Sequence, residues 1–336
     1  MRDGIYSPLR ESISFYYENK NFEVHLHKIQ SEYIMTNVNR RQFLKRTGVA
    51  GAGLAALGMG TGTVSADRYG IPIVSTRGHF DDDGNLTSGH TETGYDTTGD
   101  VPGVDTGCVD DLTVFIHGWH KTGGDPVQEA QDKFLSAKNN LDAAGYDGTL
   151  IGYSWDSDAG GGVDFGWGTA QDVAQKNGVK LAQFAVYLKY YCPNTTLRFA
   201  SHSLGAQVLL SSLRSLDVTS WWNDGGYEVY STHMLGAATD NEAPTKEWMD
   251  TYNAITNQTT ATFNYHNEED DVLEWVYNTI EFDQALGETG YEDGNTPAPN
   301  YVEYDATSQV GDDHSNYLDT LGDEIVTHMN NVPYYV

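Results

Sequence analysis

The sequence predicts an α/β fold, a mostly parallel central sheet flanked by helices. Two observations carry that reading. Short β-branched apolar runs alternate with longer segments of helical apolar spacing from residue 112 to residue 329, and such alternation builds βαβ units around a parallel sheet. With 39% hydrophobic and 12% aromatic residues among 336, the chain has enough apolar surface for a packed core.

The elements follow in order. Residues 81–107 are rich in Gly, Thr and Asp and are expected to form loops and short edge strands. Leu112–His117 and Thr149–Trp155 are apolar, β-branched strands. Ala170–Tyr191 places Val173, Val179, Leu181, Phe184, Ala185 and Leu188 at helical spacing. Leu197–Ser201 is a strand, and Leu204–Leu216 a helix with Val208, Leu209 and Leu213 inward. Tyr227–Ala238 reads as a strand, Thr245–Ile255 as a helix and Thr259–Tyr265 as a strand. Val272–Phe282 is a helix, Tyr301–Ala306 a short strand and Asn316–Met329 the closing helix. No repeat, heptad pattern or charged linker divides residues 67–336, which read as one domain. Only Asp240–Gln258 separates the two late strands, so no large cap domain is inserted there.

Charge divides the chain near residue 66. Residues 1–66 hold 8 Lys+Arg and 5 Asp+Glu, whereas residues 67–336 hold 11 and 43, a net of −32. An acidic balance this strong excludes a nucleic-acid binder and disfavours anionic lipid surfaces. At 1 M salt the screening length is about 3 Å, short enough to remove most of the self-repulsion of such a domain. The composition resembles that of secreted proteins of halophilic archaea.

The front piece has the marks of an export signal. Asn39-Arg40-Arg41-Gln42-Phe43-Leu44-Lys45 is a twin-arginine n-region, followed by the soft apolar run Gly48–Ala66 that ends in Val64-Ser65-Ala66, an A-x-A-like cleavage site. The run is too weakly apolar for a membrane anchor. Residues 1–34 are read as a start-site extension, 35–66 as the signal, cut after Ala66, and 67–336 as the exported domain. The twin-arginine export machinery is the implied partner.

In open α/β sheets, ligands bind at the carboxyl ends of the strands. Ser201-His202-Ser203-Leu204-Gly205 lies there, between a strand and an amphipathic helix. Small residues around Ser203 permit the sharp turn of a G-x-S-x-G nucleophile elbow, with Ser201 in place of the first glycine. His117-Gly118-Trp119 closes the Leu112 strand. Acyl transfer at a serine needs two backbone N–H donors for the oxyanion, and Leu204 and Trp119 occupy the two places where an elbow draws them. His314, in Gly311-Asp312-Asp313-His314-Ser315-Asn316-Tyr317, follows the last strand and is the expected base. Asp240, Asp270 and Asp271 all follow late strands, and spacing leaves the acid open among them. His117 and His120 share their loop with no carboxylate or cysteine, so no metal ion is expected there. No cofactor is expected for the chain.

These residues resemble the α/β-hydrolase superfamily, in its serine lipase and esterase branch, over about residues 112–332. The resemblance runs through Phe115-Ile116-His117-Gly118-Trp119, Ser154-Trp155, Ala200-Ser201-His202-Ser203-Leu204-Gly205-Ala206 and His233-Met234-Leu235-Gly236-Ala237-Ala238. It continues through Asn264-Tyr265-His266-Asn267-Glu268-Glu269-Asp270-Asp271-Val272-Leu273. In similar hydrolases the acid stands three before that leucine, which selects Asp270 and implies a Ser203–His314–Asp270 triad. The implied activity is hydrolysis of small-molecule or lipid carboxylic esters. An amidase or peptidase on the same machinery, or a non-catalytic binding protein that kept the fold, are the alternatives. Trp119, Trp155 and Trp167, the last in the glycine-rich loop Asp156–Gly168, would wall the site. In the sheet order of this family the strands that follow Cys108 and Cys192 are parallel neighbours, so the only two cysteines are expected to form a disulfide.

Overall fold

The computed structural model describes residues 69–335 apart from 121–123, 161–165 and 282. The extension 1–34, the export signal 35–66 and the cut after Ala66 lie outside the described residues, as does most of the glycine-rich run 160–168.

Among the described residues, eight strands form one sheet. In chain order they are β1 (Ile73–Ser75), β2 (Asp96–Thr98), β3 (Asp111–Ile116), β4 (Thr149–Ser154), β5 (Thr196–His202), β6 (Val229–Leu235), β7 (Thr259–His266) and β8 (Tyr301–Asp305). Their spatial order is β2-β1-β4-β3-β5-β6-β7-β8. Only β2 runs antiparallel, against β1 at the edge, and every other pair is parallel. Central strands β3 to β7 are buried on both faces, which explains why they read as near-continuous apolar runs rather than alternating ones.

The helices are α1 (Pro126–Ala143), α2 (Trp167–Tyr191), α3 (Gly205–Asp217), α4 (Ser220–Asp224), α5 (Met249–Gln258), α6 (Asp271–Val276), α7 (Leu286–Thr289), α8 (Thr307–Val310) and α9 (Tyr317–Asn330). α1 packs against α9, while α3 packs between α2 and α5. The core on the α1/α9 side is built from Phe115, Phe134, Leu141, Tyr265, Leu321 and Ile325. This mostly parallel sheet flanked by helices, with one antiparallel edge strand, is consistent with the α/β-hydrolase fold. No helix among the described residues is long and apolar enough to cross a membrane.

Register puts the site loops at one level. Ile116 pairs with Ser201, His202 with Leu235, and Leu235 with Tyr265. The carboxyl ends of β3, β5, β6 and β7 therefore share one edge of the sheet. At the opposite edge Cys108 and Cys192 are disulfide-bonded with Cα atoms 5.5 Å apart, beside the pairing of Asp111 with Thr196 that opens β3 and β5.

Several boundaries differ from expectation, each for a local reason. Helix α1 was not expected. Asp125 caps it by accepting from the N–H groups of Val127 and Gln128, and Pro126 fills its first position. β6 ends at Leu235, not Ala238, because Gly236 turns to φ +53°. α5 begins at Met249 because successive turns occupy 240–248, closed by Ala243 N–H to Asp240 O and Trp248 N–H to Thr245 O. The helix expected over 272–282 is α6 followed by one π turn, Tyr277–Glu281.

Candidate active site

β5 delivers the chain to Ser203, which adopts φ +55° and is the only non-glycine residue with positive φ among the described residues. A left-handed residue with a Cβ costs about 1–2 kcal/mol, so the surroundings must hold it. The Ser203 N–H donates to Leu235 O at 3.0 Å, and its carbonyl accepts from the N–H groups of Ala206 (3.0 Å) and Ala238 (3.2 Å). Two glycines make the crossing possible. A Cβ on Gly118 would stand 2.7 Å from Ser203 Cβ, and one on Gly205 would stand 2.7 Å from Ile116 O. The loop after β3 and the start of α3 can therefore close on the turn at Ser203 only without side chains. Ser201 is fully buried, and its hydroxyl has no hydrogen-bond partner among the described residues.

The loop before α9 brings His314 to Asp270. His314 Nδ1 lies 2.7 Å from Asp270 Oδ2. Asp270 is fully buried and is also the N-cap of α6, its Oδ1 accepting from Leu273 N–H at 3.0 Å. The Tyr317 hydroxyl donates to Asp270 Oδ2 at 2.9 Å. His314 Nε2 is buried and has no hydrogen-bond partner among the described residues, the Ser203 hydroxyl included. The ring of His202 packs on that of His314 with centroids 4.7 Å apart.

The other two acids stand elsewhere. Asp271 is exposed on the first turn of α6. Asp240 groups with Glu242 and Asp283. Burial, then repulsion from Asp283, Glu281 and Glu242, pushes its carboxyl up to about 7. Of the three acids that spacing left open, Asp270 is the one that bonds His314.

In the loop after β3, His117 is locked in place. Its Nδ1 pairs with Gly118 O at 2.8 Å, its Nε2 accepts from Trp155 N–H at 3.2 Å, and the Trp155 indole N–H donates to His117 O at 2.9 Å. Burial drives the imidazole down to about 3, so it stays neutral with Nδ1 as donor. Trp155 is thus a core residue behind the loop and does not wall the site. Trp119 is half-buried and meets Trp167 edge-on at 5.2 Å, and Trp167 packs on Tyr277 at 6.2 Å. Leu204 precedes Gly205 at the N-terminus of α3, where backbone N–H groups carry partial positive charge. The lock on His117, the tyrosine on Asp270 and Tyr277 beside Trp167 carry no local sequence signal, because each joins elements far apart in the chain.

Among the described residues, three side-chain groups bring potential cation ligands together. His79, His90 and Asp96 bring ligand atoms together, but both nitrogens of His79 are committed. Nδ1 accepts from buried Lys180 Nζ at 3.3 Å, which leaves Nε2 as the donor to Asp96 at 3.1 Å. The arrangement pins residues 79–96 to α2 and leaves no lone pair on that ring for a metal. Asp240, Glu242 and Asp283 form one carboxylate group, and Glu242, Glu247 and Glu292 another. His120 is paired with Glu129.

No known protein family matches the sequence, and no curated protein does. Among solved structures the chain is similar to the esterase domain of a Rhodothermus marinus protein, at 11% identity and a TM-score of 0.35, over 66% of this chain and 87% of that one. It is also similar to an acetyl xylan esterase, at 14% identity and a TM-score of 0.33, over 66% and 98%.

Proposed function

We propose that this chain is a secreted serine hydrolase that cleaves carboxylic esters through an acyl-enzyme. The observation that carries the reading is the left-handed Ser203 at the head of β5, in a fold whose edge also presents His314 bonded through Nδ1 to a buried carboxylate. With Nδ1 so engaged, the tautomer leaves Nε2 as the lone pair that can accept a proton.

Ser203 Oγ attacks the acyl carbonyl as His314 Nε2 takes its proton. The backbone N–H groups of Leu204 and Trp119 receive the oxyanion. His314 then protonates the departing alcohol, and water, activated by the same imidazole, releases the acid. Asp270 holds the ring and stabilises the imidazolium without itself taking the proton. Trp119 and Trp167 line the approach for the acyl or alcohol group. Export by the twin-arginine route agrees with Arg40-Arg41 and with the Cys108–Cys192 bridge.

The test is Ser203→Ala, assayed on a series of p-nitrophenyl esters of increasing chain length in high salt. Ser203→Ala should lose all but a few per cent of kcat with its thermal unfolding unchanged, and an alkyl phosphonate should label only the Ser203 protein. Labelling of the variant, or substantial retained kcat, would overturn the reading.

A further inference from the structure

We infer that Tyr317 is a positioning residue of the hydrolytic site, acting on the substrate only through the carboxylate of Asp270. The inference rests on the triad proposed above. Tyr317 and His314 lie three residues apart, on either side of the start of α9, yet converge on one oxygen. Asp270 Oδ2 accepts from Tyr317 Oη at 2.9 Å and pairs with His314 Nδ1 at 2.7 Å. That uses both lone pairs of Oδ2, while Oδ1 is taken by Leu273 N–H.

A carboxylate held only by its cap bond could rotate about Cβ–Cγ and present either oxygen to the imidazole. The third donor fixes the plane of the group and selects Oδ2. Toward Asp270 the phenol is always the donor, because burial and the adjacent carboxylate raise it far above any working pH. The fold keeps the space for it. A Cβ on Gly236 would stand 2.7 Å from the Tyr317 ring, and the residue is itself fully buried at the head of α9, which Leu318, Leu321 and Ile325 anchor in the core.

A residue that acts through Asp270 has a signature that a merely structural one lacks: its effect vanishes when Asp270 is already disabled. The experiment compares Tyr317→Phe, Asp270→Asn and the double variant for kcat, KM and thermal unfolding. Tyr317→Phe should lower kcat about tenfold, the size of one lost hydrogen bond to a charged group, with KM within about twofold. Asp270→Asn should lower kcat by about 10⁴, and adding Tyr317→Phe to it should change kcat by less than about twofold. If Tyr317→Phe does not fold, Gly236→Ala, which displaces the phenol without removing it, should show the same dependence on Asp270. An unchanged kcat in Tyr317→Phe, or an equal loss in the Asp270→Asn background, overturns the inference. Full activity of Asp270→Asn would instead bring down the triad itself, a result separable from the first two.

Discussion

His202 Nε2 lies 2.8 Å from the main-chain carbonyl of His314, so the residue just before the elbow serine holds the loop that carries the histidine. Burial keeps the imidazole of His202 well below its ordinary range, and a neutral ring with its proton on Nε2 is the donor this bond needs. The side chain of His202 is buried within the elbow. Replacing it with Phe keeps the ring but leaves a buried carbonyl unpaired, at a cost of about 1–3 kcal/mol. His202→Phe should therefore lower the melting temperature and reduce kcat more than it raises KM, as ester kinetics beside thermal unfolding would show.

Asp240 and Asp270 should respond oppositely to the same change. Asp270→Asn should destroy activity, whereas Asp240→Asn should leave kcat within a few-fold. Asp240 has a folded value near 7 against an ordinary 3.8, so the folded state binds its proton more tightly than the unfolded state does. Its ionisation costs stability above pH 7 and costs nothing below about pH 4. Asp240→Asn should thus raise stability at pH 8, by about 1–2 kcal/mol after solvent screening, and leave it unchanged at pH 4. Urea unfolding at the two pH values measures this.

Acid should unfold the domain through buried histidines. Burial holds His117 at about 3, and His202 and His233 well below 6.5. Each is neutral when folded and protonates on unfolding below about pH 6.5. Stability is complete above that value and falls with pH at about 1.4 kcal/mol per unit for each ring. Urea midpoints should drop steeply from pH 7 to pH 5, and His233→Gln should flatten the slope by about one proton.

Salt should be needed to keep the acidic domain folded. Residues 67–336 carry 43 Asp+Glu against 11 Lys+Arg, and screening at about 1 M shortens the reach of that repulsion to roughly 3 Å. Circular dichroism and ester hydrolysis should both decline together on dialysis into dilute buffer. Unchanged activity there would contradict the expectation.

Reduction should weaken the fold without touching the site. The bridge closes a separation of 84 residues, worth up to about 4 kcal/mol on the chain-entropy model. Dithiothreitol should lower the melting temperature while leaving kcat at 25 °C unchanged, and intact-mass analysis should find no alkylated thiol before reduction.

Strands β3 to β8 and helices α2, α3 and α9 were legible to within a few residues. Each is marked by an apolar run or a helical stripe long enough to dominate its surroundings. The first helix was missed although Asp125-Pro126 spells a cap and first position, because few of its residues are apolar and only Ala130, Phe134, Ala137 and Leu141 form the buried apolar stripe. Ser203 and His314 could be singled out because elbow and late loop are local patterns. The choice of Asp270 over Asp240 needed a resemblance, since both follow late strands and only the folded chain shows which one meets the imidazole. Trp155 was misread for the same reason: its position after a strand end does not reveal that its indole points behind the loop to His117 O.

The cross-link between Cys108 and Cys192 also makes the chain tolerant of being cut. Everything between them, α1, β4 and α2 included, lies inside one covalent ring. A single proteolytic nick anywhere from 109 to 191 would open that ring without releasing a fragment, and the strands bearing Gly118 and Ser203 at their far ends would stay tethered at their near ends. Such a molecule would migrate as one band until reduced and as two afterwards, so loss of an intact polypeptide need not mean loss of the folded chain.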